Sequence, residues 1–153
     1  MAIDRIYYKE QNFVLTIIYD ELTDLELVEH VHTMNSEYDG IYGLKELADC
    51  RFLFDVSKLT AREMLSTADA EKGSERVIQG KGAIVAESDV IFGLASMYAA
   101  IASNIREESK AYRSLDEGLD ALDIGDFRSV IEDELSTEAY KKRFESINKS
   151  LPG

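Results

Sequence analysis

A chain of 153 residues can bury one substantial core and is read as one main domain. Its 30 acidic against 17 basic residues, a formal charge of −13, exclude nucleic acid and anionic membrane as expected partners, because both demand clustered Lys and Arg. Cys50, the single cysteine, excludes an intramolecular disulfide and fits a reducing compartment.

Ile3 to Tyr8 and Phe13 to Tyr19 are β-rich runs separated by Lys9-Glu10-Gln11-Asn12, the pattern of a hairpin with a four-residue loop. The second run is apolar nearly throughout, as expected of a strand covered on both faces. A helix is predicted from about Asp24 to Tyr38, with Leu27, Val28, Val31, Met34 and Tyr38 as its buried stripe and Asp39-Gly40 as its stop. Ile41 to Asp49 reads as a loop or short turn. Phe52 to Val56 reads as a central strand. A second helix opens at Thr60, turns Ala61, Met64, Leu65 and Ala68 inward, and ends within the charged, glycine-punctuated stretch Glu71 to Lys81. Gly82 to Ala86 is the next buried strand. A third helix, Val90 to about Arg106, is apolar round most of its circumference, which predicts burial on both sides. A short strand, Lys110 to Arg113, and a fourth helix, Leu115 to Leu122, complete a domain of residues 1–122. Residues 123–153 form an extension. There Phe127, Val130, Ile131 and Leu135, then Tyr140, Phe144 and Ile147, keep helical spacing and predict two amphipathic helices broken near Ser136.

Three of the helices share one opening signal: Thr23-Asp24-Leu25-Glu26, Thr60-Ala61-Arg62-Glu63 and Ser114-Leu115-Asp116-Glu117. In each, the hydroxyl is placed to accept from the backbone N–H three residues on, while the Glu reaches back to the cap's own N–H. Strand, short loop, capped helix and strand make a βαβ unit, so the chain reads as α/β. The third helix lacks the acidic residue and is expected to be capped by Ser88 or Asp89. Met1 to Arg5 carries charge where a signal peptide needs an apolar stretch. Val90 to Ile105 is too short and too interrupted by Ser96, Ser103 and Asn104 to span a bilayer. The expected location is cytoplasmic.

Three segments carry a resemblance: Phe52-Leu53-Phe54-Asp55-Val56-Ser57-Lys58-Leu59-Thr60, Gly82 through Ala95, and Ala111 through Leu119. Together with the element order they resemble the STAS-like fold of anti-sigma factor antagonists, and more closely a bacterial SpoIIAA-like family often grouped with Sec14-like domains. The resemblance covers residues 1 to about 122. It implies an α/β fold with a mixed, mostly parallel sheet, an N-terminal hairpin and about four helices, plus the C-terminal helical extension. The function it implies is a non-catalytic regulatory or protein-interaction module. One feature departs from the family. Anti-sigma antagonists carry a phosphorylatable serine in an Asp-Ser-Ser-Gly-like turn, and here the corresponding region reads Thr60-Ala61-Arg62-Glu63-Met64. Ser57 and Thr60 are the nearest hydroxyls, and the kinase switch is not carried over.

Function in parallel sheets gathers at the C-terminal strand ends, which directs attention to Asp20, Glu21, Asp55, Ser57, Lys58, Thr60, Glu87, Ser88 and Asp89. Asp20, Glu21, Asp55 and Lys110 also suggest a phospho-aspartate receiver, but Ile41 to Asp49 is too short for the helix and strand such a fold requires. A second group, Phe92, Met97, Tyr98 and Ile101 on the third helix, suits either a hydrophobic pocket or a subunit interface. His30 and His32 point in different directions on one helix, no Cys or His cluster accompanies them, and Gly80-Lys81-Gly82 precedes a strand instead of opening a helix. No metal, cofactor or catalytic set is therefore expected. The expected partners are a second copy of the chain and either an unidentified protein or a small, lipid-like apolar ligand. The acidic run from Asp20 to Asp39, without a Lys or Arg, would steer a basic protein.

Overall fold

Ile3–Tyr8 (β1) and Phe13–Ile18 (β2) pair antiparallel across a 3₁₀ turn at Lys9–Gln11, in a computed structural model that describes residues 3–72, 80–102 and 108–152. Asn12 closes the turn at φ 50°, a conformation its short polar side chain tolerates. Every residue of β2 is buried, as its unbroken apolar run requires. Asp24–Glu37 (α1), Lys45–Asp49 (β4), Leu53–Asp55 (β5), Ala61–Lys72 (α2), Lys81–Val85 (β6), Asp89–Ala102 (α3), Glu108–Tyr112 (β7) and Leu115–Leu122 (α4) follow, with the two-residue β3 at Asp20–Glu21 before α1. The expected end of α3 near Arg106 lies outside the described residues.

The main sheet has five strands in the order β1-β2-β4-β6-β7, parallel except for the hairpin. Each new strand is added on the same side of the last. Connections of the usual right-handed sense then place α1, α2 and α3 on one face, where α1 packs on α2 and α2 on α3. The register sets Arg5, Thr16, Ala48 and Ile84 in one row and Val14, Glu46, Gly82 and Ser109 in the next, both facing these helices.

The opposite face carries α4. A Cβ on Gly118 would lie 2.7 Å from Val85 Cγ2 and 3.3 Å from Leu47 Cδ1, so the helix approaches the sheet closer than any side chain allows. Alanine gains about 1 kcal/mol in helix propensity, but overpacking of this kind costs about 1–3 kcal/mol. Gly118→Ala should therefore lower stability by about 1 kcal/mol, read as a drop in melting temperature of about 3 °C.

Two sequence expectations are corrected. Ile41 to Asp49 is not simply loop: Lys45–Asp49 is β4, the middle strand of the sheet. Its Lys-Glu-Leu-Ala-Asp sequence lacks β-branched residues and carries charge, so local propensity conceals it. Phe52 to Val56 is not a central strand. Only Leu53–Asp55 is extended, and it pairs in parallel with β3 as a separate two-stranded ribbon. The chain leaves the main sheet at Asp20, whose φ is 66° and whose N–H donates to Phe52 O at 2.8 Å.

The caps form as their chemistry dictates, with one substitution. Thr23 and Glu26 complete a reciprocal box, and Ser114 Oγ both accepts from Glu117 N–H and donates to Glu117 Oε1. At Thr60, however, the carboxylate comes from α1. Thr60 N–H donates to Asp24 Oδ1 at 2.7 Å and Thr60 Oγ1 donates to Asp24 Oδ2 at 2.8 Å, so Glu63 contributes only its backbone N–H.

Contacts divide the chain into two units, Met1–Leu122 and Asp123–Gly153. The second contains a 3₁₀ turn at Gly125–Phe127 and two helices, Arg128–Glu134 (α5) and Thr137–Ser146 (α6). Ser136 caps α6 by accepting from Ala139 N–H. Ile131, Leu135, Tyr140 and Phe144 are buried.

Candidate functional site

A pocket of about 100 Å³ lies between the sheet and the three helices on its face. Ala48 and Ile84 form part of its floor. Ile91, Leu94, Ala95, Tyr98 and Ala102 of α3 form one wall, with Leu27 of α1 and Met64 of α2 opposite. The space follows from the sequence of α3. Ala95, Ala99 and Ala102 are buried along one stripe, and short side chains there cannot fill the gap that larger neighbours hold open.

Polar atoms gather at one end. Glu46 and Ser109 sit on the same rung of the sheet, near the N-terminal ends of β4 and β7. Helices that return antiparallel to the strands bring their C-terminal turns to that end, where Glu71 of α2 and Tyr98 of α3 meet and Tyr98 donates its hydroxyl hydrogen to Glu71 Oε2. Glu46 accepts from Thr16 Oγ1 at 3.2 Å and lies 3.7 Å from His30 Nε2. On the other ring nitrogen, Arg5 Nη1 approaches His30 Nδ1 at 3.0 Å. A guanidinium only donates, so Nδ1 accepts and the imidazole proton sits on Nε2, facing Glu46. Glu46, Glu71 and His30 are each more than nine-tenths buried.

The far end is apolar, closed by Leu53, Val56, Leu59 and Cys50. Burial, reinforced by the nearby Asp49 carboxylate, pushes the Cys50 thiol well above its ordinary pKa, so it behaves as a small hydrophobe.

The residues singled out in the sequence fall into separate groups. Tyr98 lines the pocket. Phe92, Met97 and Ile101 do not: Met97 is 45 % exposed, and Phe92 lies under the Arg113 guanidinium, 4.1 Å from its ring centroid. Arg113 also pairs with Asp89 at 2.6 Å, and Ser88 Oγ accepts from Ile91 N–H as the cap of α3. Asp55 at the end of β5, and Ser57, Lys58 and Thr60 just after it, do not line the pocket. Lys58 Nζ is 3.7 Å from Glu21 Oε2. Glu21 and Asp55 are register partners in the small ribbon, while Lys110 stands opposite Ala83 in the main sheet. Among the described residues, no three His, Cys, Asp or Glu side chains gather as metal ligands.

Asp55 Oδ1 accepts from Ser57 Oγ at 2.6 Å and from Ser57 N–H at 2.9 Å. The hydroxyl bond, followed by the backbone one, holds the Asp55 carboxyl below the usual aspartate range. Its contribution to stability is therefore complete above the ordinary carboxylate pKa and is lost as pH falls through the lowered one. Ser57→Ala should move the Asp55 midpoint upward in a carboxyl-carbon NMR titration; an unmoved midpoint would show that the hydroxyl is not the cause.

The pocket-forming residues that sequence reading did not single out are Ile91, Leu94, Ala95 and Ala102 of α3 and the buried pair Glu46 and Glu71. The alanine stripe was a readable signal. The two glutamates were not, because only the fold shows that they face inward.

No protein-family model matches the sequence, and no curated protein resembles it at a significant level. A solved structure does. It is an uncharacterized protein of the DUF3478 family from Shewanella loihica PV-4, described as having a SpoIIAA-like fold. It is 18% identical, with a TM-score of 0.50 over 79% of this chain and 92% of that one. The hairpin-led, mostly parallel sheet with three helices on one face and α4 on the other is accordingly a SpoIIAA-like, STAS-like fold.

Proposed function

We propose that this protein is a non-catalytic binding domain that takes a small, mostly apolar ligand in the pocket between α3 and the sheet. The observation that carries the reading is the pocket itself, apolar over most of its lining and closed at one end by buried polar side chains. A volume of about 100 Å³ is below the ~150 Å³ engineered cavity known to hold benzene, so the body of the ligand has no more than about six heavy atoms. At the ceiling of about 1.5 kcal/mol per heavy atom, such a ligand binds at sub-micromolar strength at best. Exchange at that strength suits a sensor of ligand concentration better than a tight carrier.

The non-catalytic part of the reading is supported by how the polar groups are spent. Tyr98 and Thr16 give their hydroxyl hydrogens to Glu71 and Glu46, and Cys50 is held as a thiol.

A second reading, an interaction module that pairs with another copy of itself or with another protein, is supported by the outer face of α3. Val90 and Met97, seven residues apart and so on one side of the helix, are 66 % and 45 % exposed. The C-terminal helices are the other candidate dimer contact.

Native mass spectrometry addresses both readings. A small species released when the intact protein is denatured supports the ligand reading. A twofold mass that disappears in Met97→Asp supports the dimer. Equal intact and denatured masses, with a melting temperature unmoved by a panel of small aromatic and alkyl compounds, would remove the ligand reading.

A further inference from the structure

We propose that the groove between α1 and α2 docks a short, basic, amphipathic helical segment of another protein, with its apolar side chains on the groove floor and its Lys or Arg at the rim. The groove shares no residue with the ligand pocket, so the proposal stands independently of the ligand reading and gives the interaction-module reading a surface. Val28, Val31 and Ala70 supply its apolar part, and the short side chains of Ser66, Thr67 and Ala70 keep α2 from filling it. The open space amounts to about 530 Å³. On α1 it runs from Val28 to Ser36, about 12 Å at 1.5 Å per residue, or roughly two turns of a docked helix. On that scale an amphipathic helix seats anchors spaced i, i+3 or i+4, and i+7.

Charge selects the occupant. α1 holds Asp24, Glu26, Glu29 and Glu37 and neither Lys nor Arg. Glu29 is exposed and lies three residues before His32 and seven before Ser36, on the ridge that bounds the groove. Glu63, also exposed, lines the opposite wall with a carboxylate that the Thr60 cap does not use. Arg62 precedes it in the opening turn of α2. Carboxylates thus flank the groove from both helices. Such a rim attracts a cationic segment and repels an acidic one, chiefly through the rate of association. A second copy seated face to face would set α1 against α1, acid against acid, so the partner is a different chain. Nucleic acid is turned away by the same carboxylates.

The test is an NMR titration of the full, isotope-labelled chain with a two-heptad helical peptide of leucine and lysine, alongside its counterpart with glutamate for lysine. The expected result is that the lysine peptide moves the amide signals of Val28, His32, Ser66 and Ala70, while the glutamate peptide leaves them in place. Glu29→Lys should weaken the lysine peptide at least fivefold. Ser66→Lys, which puts a cation on the opposite wall, should do the same and keeps the test valid if the first variant fails to fold. Glu10→Lys, the same change of charge in the exposed hairpin turn, should cost less than twofold. An equal loss in Glu10→Lys, shifts spread over other elements, or equal binding of the glutamate peptide would overturn the groove as a specific site. Absence of binding by the lysine peptide would overturn it outright. None of these outcomes bears on the ligand pocket, which native mass spectrometry decides.

Discussion

Ala95→Leu is expected to weaken binding of any pocket ligand by more than tenfold while leaving the fold in place. Ala95 is 7 % exposed, lies on the wall contributed by α3, and belongs to the stripe of small residues that creates the space. Leucine adds three carbon atoms pointing into it. Burying them gains up to about 2 kcal/mol of transfer free energy, against an overpacking cost of about 1–3 kcal/mol if the fit is imperfect. The two nearly cancel, so unfolding stability should change by no more than about 1 kcal/mol. Calorimetric titration with pentan-1-ol together with a urea melt reads both quantities on one sample. Unchanged affinity in a folded variant would place the ligand elsewhere.

The largest effect on stability is expected at Asp49→Ala. Asp49 ends β4, is fully buried, and holds Arg51 through bonds from Nε at 3.0 Å and 3.2 Å and from Nη2 at 3.0 Å. Its Oδ1 also accepts from Arg51 N–H, fixing the turn that leads toward β5. Without the carboxylate, a guanidinium whose side chain is only 16 % exposed loses its counter-charge. Breaking a buried pair from one side costs about 3–5 kcal/mol, a large share of the ~5–15 kcal/mol by which a domain is stable. The urea midpoint should fall by about 2 M. Asp49→Ala combined with Arg51→Leu should recover most of the loss. A double variant as unstable as the single one would show that packing of β4, not an uncompensated charge, sets the cost.

How much of the architecture was legible depended on whether the deciding information was local. β2 announces itself because six consecutive residues from Phe13 to Ile18 are apolar or β-branched. The helix starts are legible because a cap and its partner lie three residues apart. β4 was not legible. A Lys-Glu-Leu-Ala-Asp stretch becomes the centre of a sheet only because Thr16 and His30 are brought to Glu46, and Arg51 folds back onto Asp49. Phe52 to Val56 failed in the opposite direction. An apolar run does not reveal whether it is a central strand or an edge ribbon, and here the left-handed Asp20 diverts its partner out of the main sheet.

The site divides along the same line. Tyr98 was within reach of helical periodicity, but the side of α3 that faces the pocket is marked by alanines, whereas attention falls naturally on large residues such as Phe92 and Met97. Around the end of β5, Ser57 donates to Asp55, Glu21 lies near Lys58, and Asp24 binds Thr60, partners that lie up to 36 residues away in sequence.

The sequence by itself determined the α/β class, the order of the helices, the hydroxyl residues that open them and the resemblance to the STAS-like fold, because hydrophobic period and capping are read from residues within about one helical turn of each other. The tertiary structure alone decided which strand is central, that Asp24 caps a helix 36 residues away, and that Glu46 and Glu71 face one apolar pocket. Those outcomes depend on register and on the packing of distant segments, which no local pattern encodes.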